Sequence, residues 1–207
     1  PVLGLKADPT VLRNFLVMLS HLHGEQCKYD ILSRSLGLSV PTIKKYINFF
    51  AESFLIRILP PYFFNIKKRL VRSPRIYFKD SGLLHAMLGI ETFVQLQGHP
   101  GLGKSWEGYV IDQICQLLDE RYEFCFYKTH QGAEIDLVLI KGGKAQIAIE
   151  IKYHNSPKIS KGFYISIQDL QTPLNFIITP NSDDYKAGPN IQVCSLHRFL
   201  TGYVPTI

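Results

Sequence analysis

The sequence predicts a mixed α/β (α+β) chain in two parts: an N-terminal part with helix-turn-helix order, then a C-terminal part with the element order α-β-β-β-α-β. Three observations predict it. Apolar residues recur at helical spacing through three successive segments before residue 53. Residues 132–152, GAEIDLVLIKGGKAQIAIEIK, read as two apolar strands around a Lys-Gly-Gly turn. The charge also divides: residues 1–100 hold 13 Lys/Arg against 6 Asp/Glu, and residues 101–207 hold 10 against 11. These features set an N-terminal domain at 1–89, a linker loop at 90–104 and a C-terminal domain at 105–207.

The first helix is predicted from Thr10 to His23, on the stripe Val11, Leu12, Phe15, Leu16, Leu19 and Leu22, and ends at Gly24. The second runs from Tyr29 to Leu36 and stops at Gly37. Ser39 caps the third, Val40 to Glu52, which buries Ile43, Tyr46, Ile47 and Phe50. Two extended segments follow, Phe54–Phe64 and Arg75–Lys79, with the basic run Lys67-Lys68-Arg69-Leu70-Val71-Arg72 between them in the position of a wing. This is a winged helix-turn-helix pattern. It predicts DNA contact by Thr42, Lys44, Lys45 and Asn48 on the outer face of the third helix, and by Lys67, Lys68, Arg69 and Arg72 on phosphates. The same basic surface also suits docking of an acidic protein partner. Asp80 caps a further helix that Gly89 terminates.

Gly98-His-Pro-Gly-Leu-Gly103-Lys104-Ser105 satisfies the phosphate-cradling pattern GxxxxGK[ST], a minor alternative in which the chain binds ATP. The context opposes it. Phe93–Gln97, the strand candidate before it, carries two glutamines, and the strand ending in an acid, Ile76 to Asp80, precedes the loop instead of following it.

In the C-terminal part a helix from Ser105 to Glu120 carries Trp106, Val110, Ile111, Ile114, Cys115, Leu117 and Leu118, with Glu107 on the same stripe. Strand Tyr122–Lys128 leads into the hairpin. After it come a polar segment with Lys158 and Lys161, a helix to Leu170, strand Asn175–Thr179, a Gly/Pro/Asp loop, strand Ile191–Cys194 and a short helix His197–Thr201. Gln168 reads as a surface polar residue.

Asp136 interrupts an otherwise apolar strand, and a buried carboxylate is costly unless it is paired, hydrogen-bonded or bound to a cation. On the next strand Glu150 and Lys152 point to one face, roughly 6–7 Å apart. Two carboxylates on neighbouring strands suit a hard divalent ion, and a lysine beside them suits a phosphate. The plainer account is an Asp capping a turn and a Glu/Lys pair at a strand end. Glu134 leaves the ligand set open. His21, His23 and Cys27 have poor spacing for zinc. The four cysteines form no CxxC, which suits reduced thiols and a cytoplasmic setting. No apolar run reaches the ~20 residues of a membrane span, and no signal peptide is visible.

Asp136 followed by Glu150-x-Lys152 resembles the PD-(D/E)xK nuclease superfamily. The resemblance implies a restriction-endonuclease-like core, catalytic Asp136, Glu150 and Lys152, and magnesium or manganese held by Glu107, Asp136 and Glu150, because these nucleases, Holliday-junction resolvases among them, place a glutamate on the first core helix. Over nearly the whole chain the sequence further resembles the C-terminal region of bacterial and archaeal AAA+-type ATPases. The residues that carry this are Thr42–Tyr46, Lys68–Leu84, His99-Pro100, Gly103, Trp106-Glu107-Gly108, Gly132–Asp136 and Glu150–Lys152. It implies a fragment whose ATPase module lies elsewhere, and that module as a partner. Two functions are compatible with it: metal-dependent phosphodiester hydrolysis on DNA, or a non-catalytic nuclease-like module that binds DNA or a partner and regulates the ATPase.

Overall fold

The computed structural model describes residues 8–63 and 70–207. They form two compact units, Pro1–Ile58 with Ser73–Gly108, and Leu59–Arg72 with Tyr109–Ile207.

The first unit is built on three helices, α1 (Pro9–His21), α2 (Tyr29–Leu36) and α3 (Val40–Glu52). Asp8 caps α1 by accepting from Thr10 N–H and Val11 N–H, Gly37 ends α2 in the left-handed region, and Ser39 caps α3 by accepting from Thr42 N–H. Strands β1 (Ile56–Leu59) and β2 (Arg75–Phe78) pair as a two-stranded sheet. Gly24 N–H donates to Ile76 O at 2.8 Å and Cys27 N–H to Pro74 O at 2.7 Å, so the chain after α1 covers the other side of β2. The core gathers Phe15, Leu19, Ile43, Ile47, Ile56, Ile76, Phe78 and Leu84. Asp80 caps α4 (Ser81–Met87) by accepting from Leu83 N–H, and Gly89 follows with φ +69°.

Residues 90–104, expected as a linker loop, are largely helical. Thr92 and Gln95 form a reciprocal capping box that starts α5 (Phe93–Gly98), so the expected strand Phe93–Gln97 is a helix. Helix α6 (Leu102–Leu117) begins three residues before the expected Ser105.

The second unit holds a six-stranded mixed sheet, order β3-β4-β5-β6-β8-β7: β3 (Tyr122–Lys128), β4 (Glu134–Lys141), β5 (Lys144–Ile151), β6 (Leu174–Thr179), β7 (Tyr185–Gly188) and β8 (Ile191–Ser195). β3, β4 and β5 are antiparallel neighbours, whereas β5, β6 and β8 are parallel. Gly142 and Gly143, at φ +60° and +73°, make the two-residue turn between β4 and β5. α7 (Lys161–Leu170) connects β5 to parallel β6 and packs Phe163, Ile167 and Leu170 on Val138, Ala148 and Ile177. The order α6-β3-β4-β5-α7-β6 is the expected α-β-β-β-α-β. The loop expected before β8 contains edge strand β7, and the last helix, α8 (Leu196–Arg198), continues through a π-helical turn Phe199–Tyr203 and a 3-10 turn Val204–Thr206.

Of the run 67–72 expected as a wing, the described residues 70–72 belong to the second unit, as do residues 59–63. Phe126 N–H donates to Pro60 O at 3.0 Å, Tyr62 N–H to Phe126 O at 2.7 Å, and Val71 N–H to Lys128 O at 3.1 Å. The chain at Pro60–Tyr62 and at Val71 therefore runs along the outer edge of β3, whose N–H and C=O groups would otherwise face solvent.

Candidate functional site

β4 is irregular at Asp136. Cys125 pairs with Val138 and Tyr127 with Ile135, so Asp136 and Leu137 together oppose Phe126 in a β-bulge, which re-aims side chains locally. The β4–β5 pairing includes Leu137 with Ile149; one step further along the same register sets Asp136 across from Glu150. Both side chains are buried, each residue 7% exposed. Asp136 Oδ2 accepts from Ile151 N–H at 2.9 Å, so its carboxylate is met by a backbone donor. Glu150 Oε1 lies 2.5 Å from Lys152 Nζ, and Lys152 N–H donates to Ile178 O at 2.9 Å, which holds the Lys152 backbone beside β6. The sheet thus brings the three predicted residues Asp136, Glu150 and Lys152 to one end of two neighbouring strands.

Glu134 is committed elsewhere, to Lys128 across the β3–β4 pair at 2.6 Å. Glu107, expected beside the two acids as a metal ligand, sits in a buried polar cluster of the first unit. Its Oε1 accepts from Tyr77 OH at 2.5 Å and lies 3.5 Å from Arg75 Nη1, and its Oε2 is 2.9 Å from Lys104 Nζ. These contacts are why an acid occurs on an apolar stripe. Among the described residues no three His, Cys, Asp or Glu side chains are gathered as a metal-holding group.

His23 belongs to the same cluster. Its Nδ1 accepts from Phe78 N–H at 3.0 Å, which makes Nε2 the protonated nitrogen, donating to Lys104 O at 3.1 Å. Burial pushes its pKa down to about 4. Ser105 Oγ is 2.8 Å from His85 Nε2. The Gly98–Ser105 pattern therefore has a helix in front of it where a phosphate-cradling loop follows a strand. Its Lys104 and Ser105 bond to Glu107 and His85 within the first unit.

On α3, Lys44, Lys45 and Asn48 are exposed as expected, with Lys44 Nζ 5.3 Å above the Tyr29 ring. Thr42 is half-buried and its hydroxyl lies 2.8 Å from Ser39 Oγ, so it serves the helix cap. Arg72 is exposed but belongs to the second unit, beside β3. Lys67, Lys68 and Arg69 lie outside the described residues. Gln168 is exposed on α7.

Comparison with known proteins gives two family matches. Residues 1–93 match the family described as "Domain of unknown function (DUF8612)", and residues 102–199 match "Domain of unknown function (DUF4143)". The chain is 34% identical over 199 residues to "Uncharacterized protein Rv2008c" of Mycobacterium tuberculosis and, equally, to "Uncharacterized protein Mb2031c" of Mycobacterium bovis. Each alignment covers 96% of this chain and 45% of the relative, so the chain spans a little under half the length of these relatives. Among solved structures it is similar, at TM-score 0.35 and 11% identity over 89% of this chain and 70% of the other, to a chain of the "Refined half-complex from tetradecameric assembly of Thermococcus gammatolerans McrB AAA+ hexamers with bound McrC". No helix among the described residues is long and apolar enough to cross a membrane.

Proposed function

We propose that the second unit is a metal-dependent phosphodiester-processing module, with Asp136 and Glu150 as the ligands of one magnesium or manganese ion and Lys152 as the phosphate partner. The observation that carries this reading is the placement of two buried carboxylates on adjacent strands, with a lysine at the end of the second strand. The donor set suits the ion: magnesium binds hard oxygens, keeps several waters and needs only one or two carboxylates when a phosphate completes its shell. When bound, such an ion supplies Lewis-acid polarisation of a phosphate oxygen and lowers the pKa of its water.

The chain's own residues have separate tasks. Ile151 N–H holds one oxygen of Asp136 in place, which orients that carboxylate. Lys152 is half-buried on a long, flexible stem that can carry its ammonium from Glu150 to a phosphate oxygen, so cation and substrate exchange partners at Glu150. In the first unit the exposed Lys44, Lys45 and Asn48 offer DNA contact, and the AAA+ module that the resemblance implies is the partner within a longer protein.

The Lys152–Glu150 pair also favours the second reading, a module with the nuclease-type arrangement that binds DNA or the ATPase without cleaving. Calorimetry with magnesium and manganese on the chain and on Asp136→Asn separates the two, followed by incubation with duplex and branched DNA. Binding that Asp136→Asn abolishes, with manganese-dependent cleavage, supports the first reading. Absent cleavage together with metal binding unchanged by Asp136→Asn removes it. Lys152→Ala adds a readout independent of activity: without its competing ammonium, metal affinity in the absence of DNA is expected to rise.

A further inference from the structure

Between Glu150 and Asp169 the chain contains no acidic residue, yet it carries Lys152, His154, Lys158 and Lys161. The fold brings this stretch to the end of the sheet that holds Asp136 and Glu150. Asn181 N–H donates to Asn155 Oδ1 at 3.0 Å, tying the loop after β5 to the loop after β6. Ser160 caps α7 by accepting from Phe163 N–H at 3.0 Å. The first turn of α7 packs on the turn that feeds β4: a Cβ on Gly162 would lie 3.4 Å from Gly132 O and 3.5 Å from Ala133 Cα. Lys161 thus stands close to the start of the strand that carries Asp136.

The outer stripe of α7 is Lys161, Tyr164, Ile165 and Gln168, at the i, i+3, i+4, i+7 spacing of one helix face, and all four are exposed. Tyr164 and Ile165 are each 42% exposed and Tyr153, in the preceding loop, is 37% exposed. Large apolar side chains among cations, without acids of their own segment, are poor material for a purely solvated face and good material for a nucleic-acid strand. The acids of neighbouring elements are engaged: Glu134 by Lys128, Glu150 by Lys152, Asp169 by Tyr127 OH at 2.7 Å, and Asp184 by Arg198. Asp183, exposed in the loop after β6, limits the strip on that side.

We propose that residues 152–165 form a binding strip for a single-stranded nucleic-acid segment, with Lys158 and Lys161 on backbone phosphates and Tyr164 stacked on an unpaired base. For its substrate class this deepens the phosphodiester reading: the Asp136–Glu150 site acts on DNA with a single-stranded portion. Strand binding itself requires no metal.

The test is fluorescence anisotropy of a labelled oligothymidylate and of a duplex of equal length, over a salt series. The full chain is compared with Lys158→Glu/Lys161→Glu, with Tyr164→Ala, and with Lys44→Glu/Lys45→Glu on α3, each checked for unchanged thermal melting. The α7 double reversal is expected to weaken single-strand binding at least tenfold and to lower the salt slope by about 1.4, at ~0.7 per phosphate contact. Tyr164→Ala is expected to cost about tenfold on the single strand and little on the duplex, with the α3 variant weakening the duplex more than the single strand. Single-strand affinity unchanged in a folded Lys158→Glu/Lys161→Glu or Tyr164→Ala protein overturns the strip, as does a chain that binds no strand. DNA cleavage unaffected by these variants overturns the strip and leaves the phosphodiester reading standing. Strand binding lost in them, in a chain without cleavage or metal binding, supports the strip and removes the other.

Discussion

Ile151 donates its backbone N–H to the Asp136 carboxylate at 2.9 Å, beside the bulge in the β3–β4 pairing. The carboxylate thus has a structural task as well as a proposed chemical one, and two substitutions separate them. Asn at position 136 keeps an acceptor oxygen for Ile151, whereas Ala leaves a buried amide without one, at a cost of about 1–3 kcal/mol. Urea unfolding is expected to rank the native chain close to Asp136→Asn and well above Asp136→Ala, while both variants lose metal binding. Equal stability of all three would show that Asp136 does not hold the strand end.

Glu107 joins Tyr77, Arg75 and Lys104 in a buried cluster of the first unit. Removing one partner of a buried ion pair costs about 3–5 kcal/mol, and here Arg75, at 2% side-chain exposure, and Lys104 would lose their shared carboxylate. Glu107→Ala is therefore expected to destabilise the chain by that amount, and Tyr77→Phe by about 1–2 kcal/mol. Chemical denaturation measures both. A Glu107→Ala protein as stable as the native chain would return Glu107 to the list of chemical residues.

Much of the fold was legible because its local signals agreed with one another. Ser39, Gly37, Asp80 and the Gly142-Gly143 pair each mark a boundary that the structure keeps, since caps and positive-φ turns depend on residues close in sequence. The alignment of Asp136 with Glu150 depends on a bulge at Gln146, because the turn register of Lys141 with Lys144 alone would set Asp136 across from Ile149, but the nearness of Asp136 to Glu150 and Lys152 was legible. Long-range partners were not. Nothing near Glu107 in sequence announces Arg75 and Tyr77, and nothing near Pro60, Tyr62 and Val71 announces that they bond to β3. Phe93–Gln97 misled because a five-residue segment is too short for a decisive period; the Thr92 and Gln95 capping pair was the signal available.

His23 gives the first unit a pH dependence with a defined sign. Burial lowers its folded pKa from 6.5 to about 4, so between those values the unfolded chain binds the extra proton. Stability contributed by neutral His23 is complete above pH 6.5 and falls as the pH drops toward 4. The total is on the order of 3 kcal/mol, at 1.36 kcal/mol per pH unit. His85, also lowered by burial, adds in the same direction. Unfolding free energies between pH 5 and 7.5 are expected to rise with pH in the native chain and to flatten in His23→Gln. An equal slope in both would place the titration elsewhere.

Two glycines on helices predict opposite outcomes. A Cβ on Gly108 would overlap His23, coming 2.6 Å from Cε1, and would sit 3.2 Å from Tyr77 Cδ1, inside the buried cluster. Gly108→Ala is thus expected to cost about 1–3 kcal/mol by overpacking. On Gly162 the nearest atoms lie at ordinary contact distance, and Ala adds helix propensity, so Gly162→Ala is expected to be neutral or stabilising by up to ~1 kcal/mol. Thermal melting of the pair checks this. A tolerated Gly108→Ala would mean that the cluster yields more readily than its contacts imply.

The last expectation concerns where the chain can be cut. A boundary at 105 isolates the predicted C-terminal domain, yet β3 is covered at its edge by hydrogen bonds from Pro60, Tyr62 and Val71, residues encoded between β1 and β2. A fragment 105–207 leaves Phe126 N–H, Phe126 O and Lys128 O without these partners, on a strand whose Cys125, Phe126 and Tyr127 side chains are buried in the whole chain. An uncovered edge of that kind pairs with copies of itself. The fragment is expected to be less stable than the whole chain and to self-associate with rising concentration, read by light scattering coupled to size exclusion. In the full chain Val71→Pro removes only the donor to Lys128 O and is expected to shift behaviour the same way by a smaller amount. A monomeric 105–207 fragment as stable as the whole would show that the segment at Leu59–Arg72 contributes nothing to the second unit.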